Sequence, residues 1–183
     1  MSAPPSLPDT IQTRRLLLRP FELGDVDDVF AYARDEEWSR YLRMLPRPYE
    51  RIHAEQFIAR QILLDRVRHV AWAVVVEGRV VGGIGLRFDF ENRRAELGYS
   101  IARDEWGKGY CSEAAEAVID AAFRTRADLI RVHARADARN GASQRVMEKV
   151  GMTKEGVHRQ GRVERGEVFD EAWYSILREE WVE

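Results

Sequence analysis

The sequence predicts a single α/β domain, and three observations carry that expectation. A β-prone run from Arg93 to Ile101, a Gly-x-Gly turn at Gly107 and Gly109, an amphipathic helix and a second β-prone run from Leu129 to Ala134 follow in order. That is the order of a crossover unit between two parallel strands. Around it lie further apolar runs of strand character, about seven in all, interleaved with helical patterns. Finally, 183 residues, 45% hydrophobic and 33% charged, suffice for a substantial core without disulfide or metal staples.

The chain opens with a proline-rich stretch, Met1 to Pro8, without a charged start or apolar core. Residues 1–12 are therefore expected to be a disordered tail and 13–183 one domain. Arg15 to Pro20 reads as a first strand, ended by the proline. Val26, Val29, Phe30 and Ala33 follow at helical spacing, with Asp25, Asp27 and Asp28 near the positive end of the dipole. Trp38 to Leu45 is a short helical piece broken by Pro46 and Pro48. A longer helix is expected from Tyr49 to Val67, with Ile52, Phe57, Ile58, Ile62 and Leu63 inward.

Val70 to Val76 and Val80 to Phe90 are strands joined at Glu77-Gly78-Arg79, a hairpin turn with glycine at a position of positive φ. Gly82, Gly83 and Gly85 predict a bulge or a close approach by another group. In the helix of the crossover unit, Ala114, Ala115, Val118, Ile119, Ala122 and Phe123 form one face. Ser112 and Glu113 suit its first turn. After the fifth strand, Asn140 opens a helix whose apolar set is Ala142, Val146, Met147 and Val150. Two last strands, Thr153 to Arg159 and Glu167 to Leu177, join around a loop containing Gly161 and Gly166. Arg159, Arg162 and Arg165 are expected to be a solvated hairpin, with a grip on an acidic acceptor as the alternative.

Several function classes are disfavoured. A net charge of −2 lacks the basic excess of a nucleic-acid binder. Val70 to Val76, the longest purely apolar run, is too short to span a bilayer, so cytoplasmic residence without a membrane partner is the expectation. His53, His69, His133 and His158 show no ligand spacing, so no metal is expected. Cys111, the single cysteine, cannot form an internal disulfide. Near a helix N-terminus, with His133 on the next strand, it admits a nucleophilic reading; a small residue packed behind the turn is the expected one.

What the turn does offer is an anion site. Two glycines one residue apart, followed at once by a helix, let successive N–H groups and the helix dipole converge on one point. A Walker A loop is excluded twice, by Ala102 where its first glycine belongs and by Gly109 where Ser or Thr belongs. The dinucleotide fingerprint fails at Ser112, so a nucleotide-binding module is disfavoured.

The wider constellation is Glu96-Leu-Gly-Tyr99, then Trp106-Gly107-Lys108-Gly109-Tyr110 with Glu113-Ala114, then Asn140-x-x-Ser143-x-x-Val146-x-x-Lys149-x-Gly151-Met152. Together with Thr13-Arg-Arg-Leu-Leu-Leu-Arg-Pro20 and the closing Ala172 to Trp181, it resembles the GNAT superfamily of N-acetyltransferases, most closely its RimJ/RimL-like branch. The resemblance spans nearly the whole chain. It implies a mixed, mostly antiparallel sheet flanked by helices, and acetyl-CoA as cosubstrate.

By the same resemblance, pyrophosphate rests on Gly107 to Ser112, a run that includes Tyr110 and Cys111, with Trp106 and Lys108 at its edge. Pantetheine pairs with backbone around Tyr99 and Ile101. Asn140 bonds the arm or caps its helix. Asp104 stands where the superfamily often has Gln or Arg, leaving Arg103 as the nearby cation. Glu96 is the candidate base, or a group that binds the acceptor ammonium. Many members place a tyrosine where this chain has Met147; in this branch Ser143 is the suggested proton donor to the leaving sulfur.

Trp38, Tyr41, Trp72 and Phe88 are candidates to line the acceptor pocket, against a role in the core. The acceptor is a protein N-terminus or a small-molecule amine. A catalytically silent acyl-CoA sensor is the alternative, and the presence of both Glu96 and Ser143 favours the enzyme. Dimers are common among such proteins, and Trp173, Tyr174 and Trp181 offer apolar area for a homodimer or for the core.

Overall fold

The computed structural model describes residues 5–42, 45–164 and 166–181. Eight strands form one sheet: β1 (Ile11–Gln12), β2 (Leu17–Arg19), β3 (His69–Val76), β4 (Arg79–Asp89), β5 (Arg94–Ile101), β6 (Arg131–Asp137), β7 (Thr153–Glu164) and β8 (Glu167–Leu177). Their spatial order is β1-β2-β3-β4-β5-β6-β8-β7. Neighbours are antiparallel except β5 and β6, which the crossover makes parallel. Four helices flank the sheet: α1 (Val26–Ala33), α2 (Arg51–Ile62), α3 (Tyr110–Thr125) and α4 (Gly141–Lys149).

Side-chain alternation sorts the core into two layers. Val70, Trp72 and Val74 of β3, with Ile84, Leu86 and Phe88 of β4, pack in one cluster with Ala115, Val118, Ile119, Ala122 and Phe123 of α3. Ala73 and Val75 point the other way, into a cluster with Val29 of α1 and Ala54 and Ile58 of α2. The β3–β4 hairpin turns at Glu77 (φ 50) and Gly78 (φ 82), the paired positive angles of a type I′ turn. Among the described residues no helix is long and apolar enough to cross a membrane.

Four expectations are corrected. The tail expected over residues 1–12 is ordered in its second half: Leu7 is buried, the Trp72 indole N–H donates to the carbonyls of Pro8 (3.2 Å) and Asp9 (3.0 Å), and Ile11–Gln12 supply an eighth strand. Residues 1–4 lie outside the described residues. The helical piece at Trp38 is a single 3-10 turn, Trp38–Tyr41. The long helix ends at Ile62, and its buried face is Ala54 and Ile58; Ile52 and Leu63, on the opposite side of the helical wheel, are 48% and 82% exposed.

The fourth correction concerns the last hairpin. β7 runs through Gly161 with a register irregularity between His158 and Arg162. Arg162 consequently faces a cleft instead of solvent, pairing with Glu171 at 3.5 Å and with Glu164. Arg165 lies outside the described residues.

Candidate active site

The cleft originates where two strands part. β5 pairs with β6 only from Arg94 to Glu96, against Arg131 to His133. Beyond that point β6 continues beside β8 to Asp137, while β5 continues beside β4 to Ile101. The edge of β5 from Leu97 to Ile101 therefore has no strand partner on that side among the described residues. A cleft of about 1140 Å³ runs through the gap, from Gly107 and Ser112 at one end to Glu96 and Arg135 at the other.

Gly107 (φ 78) and Gly109 (φ 81) adopt left-handed backbone conformations that deliver the chain into α3. The N–H groups of Tyr110, Cys111 and Ser112 precede the first intrahelical bond, from Glu113 N to Gly109 O, so they stand open at the helix N-terminus. The loop is braced from behind. Arg15 donates through Nη1 to the Lys108 carbonyl (2.8 Å) and through Nε to Glu113 (2.7 Å), and its guanidinium lies 4.7 Å from the Tyr110 ring centroid. Thr13 Oγ1 donates to the same Glu113 carboxylate at 2.7 Å.

Two expected phosphate cations are turned elsewhere. Lys108 Nζ reaches back 2.7 Å to Glu105, and Arg103 lies 3.5 Å from Asp35; neither lines the cleft. Arg145 and Lys149, one helical turn apart on α4, do line it. Trp106 lines the cleft and donates its indole N–H to the Ile101 carbonyl at 2.7 Å, fixing the end of the open edge.

At the middle of the cleft, Asn140 caps α4, its Oδ1 accepting from Ser143 N at 3.1 Å. The Ser143 hydroxyl lies 2.9 Å from the Tyr99 hydroxyl, which is also 3.0 Å from the Ser143 carbonyl. Burial holds the Tyr99 phenol well above its usual range, so it remains protonated. Met147 is fully buried in the core. The Cys111 thiol, pushed up to about 12 by burial, is no nucleophile at neutral pH.

At the far end, Glu96 accepts from Arg135 Nε at 2.8 Å. Burial pushes the Glu96 carboxyl up, but the hydrogen bond and charge of Arg135 outweigh it and hold the group below its usual range. Arg135 also reaches Glu171 at 3.3 Å, so Glu96, Arg135, Glu171, Arg162 and Glu164 form a chain of alternating charge along the cleft wall.

Trp38 and Tyr41 line the cleft. Trp72 and Phe88 do not, because strand alternation turns both to the α3 side, where they are 0% and 5% exposed. The residues of β3 and β4 that do face the cleft are His69, Ala71, Gly83, Gly85 and Arg87. Trp173, Tyr174 and Trp181 are engaged within the chain: Trp173 between His133 and His158, Tyr174 in the core, Trp181 against Phe123.

A glycine-turned helix N-terminus, an unpaired strand edge leading from it, and a hydroxyl and a carboxylate farther along define an acyl-CoA-type N-acyltransferase. Residues 15–153 match the acetyltransferase (GNAT) domain. The uncharacterized N-acetyltransferase p20 of Bacillus licheniformis is 31% identical over 178 residues, 94% of this chain and 98% of p20. A GNAT-family acetyltransferase from Bacillus anthracis superposes with a TM-score of 0.83 at 30% identity, over 93% of this chain and 99% of its own. RimL, the ribosomal L7/L12 α-N-protein acetyltransferase solved with coenzyme A, shares the fold with a TM-score of 0.79 at 20% identity, over 94% and 97%.

The chain belongs to the GNAT family and is an acetyl-CoA-dependent N-acetyltransferase, with the fold of the RimJ/RimL-like branch that its motifs resemble.

Proposed function

We propose that the cleft holds acetyl-CoA along the open edge of β5 and transfers its acetyl group to a primary amine by direct attack in a ternary complex. The observation that carries this reading is the parting of β5 and β6 beyond Glu96, which opens a cleft that the N-terminus of α3 also lines. The residues present fit the cosubstrate. First-turn N–H groups and the helix dipole suit pyrophosphate, Arg145 and Lys149 supply positive charge at its rim, and the unpaired edge from Leu97 to Ile101 suits the amides of pantetheine. Acetyl-CoA supplies an acetyl group already activated as a thioester.

The chain's own residues then have three tasks. Glu96, ionised beside Arg135, holds the incoming ammonium; because its proton affinity is low, it passes the amine's proton onward through water and does not retain it. Ser143 donates its hydroxyl proton to the departing sulfur, and Tyr99, 2.9 Å away, orients that hydroxyl. The rigid floor of β4 and β5 aligns amine and thioester. The acceptor is a protein N-terminus or a small-molecule amine.

Calorimetric titration tests the cosubstrate. Acetyl-CoA is expected to bind in the micromolar range and ATP not to bind. Gly109→Asp, which places bulk and negative charge at a left-handed position in the loop, should abolish binding while the fold persists by circular dichroism. Unchanged affinity in that variant would remove the phosphate site from Gly107 to Ser112.

A further inference from the structure

Three registered rows cross the cleft floor. His69, Arg87 and Glu96 stand side by side on β3, β4 and β5; the next row is Ala71, Gly85 and Gly98; the third is Ala73, Gly83 and Ser100. The middle row carries nothing larger than a methyl group. A Cβ on Gly98 would meet no atom within 4 Å, whereas one on Gly85 would lie 2.7 Å from the Val70 carbonyl, so the row is a shallow hollow that is open to the cleft at Gly98. It is closed at one end by Phe21, whose ring lies 3.1 Å from where a Cβ on Gly83 would be. Tyr32 and Trp38, edge to face at 5.0 Å, line the same cleft above it with Tyr49 and Phe57.

The charged row beside the hollow is unevenly paired. Glu96 has Arg135 as its partner, while Arg87 makes no ion pair or hydrogen bond among the described residues although it lines the cleft. Arg87 and Glu96 are directly opposed across β4 and β5, so a cation and an anion stand side by side on the cleft floor, the pair of charges that an α-amino acid complements. Arg87 also presents a planar fork suited to a carboxylate.

Resting on the acetyl-transfer reading, we propose that the acceptor is a free α-amino acid with an apolar or aromatic side chain. Its ammonium lies on Glu96, its carboxylate on Arg87, and its side chain in the hollow over Ala71, Gly85 and Gly98. One ammonium proton first leaves by way of Glu96 and water; the neutral nitrogen then attacks the thioester carbon, the carbon–sulfur bond breaks as sulfur takes the Ser143 hydroxyl proton, and the second proton lost by nitrogen returns through water to Ser143. A peptide N-terminus carries a neutral amide where the free amino acid carries its carboxylate, and so leaves Arg87 without a counter-charge.

The test compares L-phenylalanine with L-phenylalaninamide by free-thiol release, in the native protein and in Arg87→Gln and Arg87→Lys. The ratio of kcat/KM for acid over amide should fall by about tenfold or more in Arg87→Gln and by less in Arg87→Lys. Taking the ratio across variants cancels the different basicity of the two amines. Gly98→Leu, whose Cβ would meet no atom within 4 Å, should fill the hollow and shift preference from phenylalanine toward alanine by about tenfold.

A ratio within about twofold of native in Arg87→Gln overturns the proposal. So does acetylation of peptide N-termini with none of free amino acids. Parallel calorimetry with acetyl-CoA separates the two levels: absence of binding by folded protein overturns the acetyl-transfer reading as well, whereas binding without amino-acid turnover overturns the acceptor class alone.

Discussion

In the proposed mechanism Glu96 and Ser143 divide the chemistry by environment. Glu96 is held below the usual carboxylate range by Arg135 despite its burial. A depressed carboxylate stabilises the fold above its unfolded value of about 4.3 and loses that contribution as pH falls through the lower folded value. Across neutral pH it stays ionised, so the acidic limb of the pH–rate profile belongs to the amine. Glu96→Gln should lower kcat by about ten- to a hundredfold without moving that limb, and a shifted limb would reinstate Glu96 as the titrating base. Ser143→Ala should cut turnover by about tenfold while calorimetry shows coenzyme A affinity nearly unchanged. Both positions stand out in the sequence because each lies in a short motif, and both line the cleft. Lys108 turns away from the cleft because Glu105, three residues earlier, competes for its charge. Arg135 went unnoticed because its partners, Glu96 and Glu171, lie 39 and 36 residues away.

Among the elements, α3 shows how a loop acquires fixed geometry. Its glycines and apolar face were readable from spacing, whereas its brace was not: Arg15 and Glu113 are separated by 98 residues. Glu113→Ala removes the acceptor for Thr13, for the Arg15 backbone and for its guanidinium. It should cost about 1–2 kcal/mol in chemical denaturation and weaken acetyl-CoA binding together with it. A variant with native affinity would show that the turn keeps its shape without the brace. The errors at Trp72 and Phe88 have a related cause. Val70 to Val76 is apolar throughout because both sheet faces are covered, so residue type alone did not reveal which parity faces the ligand. In α2 the fault is different: an apolar residue on a helix is not thereby inward, and Ile52 and Leu63 lie opposite Ala54 and Ile58.

For the whole molecule, the α/β class and seven of the eight strands were readable from one crossover unit and the apolar runs around it. The eighth strand escaped because two residues, Ile11–Gln12, carry no periodicity, and the preceding prolines suggested disorder. Removing residues 1–10 takes away Leu7 and both carbonyl partners of the buried Trp72 indole. The truncated chain should lose about 2–4 kcal/mol of stability, read as a lower urea midpoint; an unchanged midpoint would mean that the segment adds nothing. The short contact of β5 with β6 has a larger consequence. Three residue pairs, Arg94 to Glu96 against Arg131 to His133, join five strands on one side to three on the other. The sheet is bound like a book along a short spine, and the ligand lies in the gutter between its leaves. The width of that gutter is set at the spine, by Ala95 and Val132, whose buried side chains face the core and line no part of the cleft.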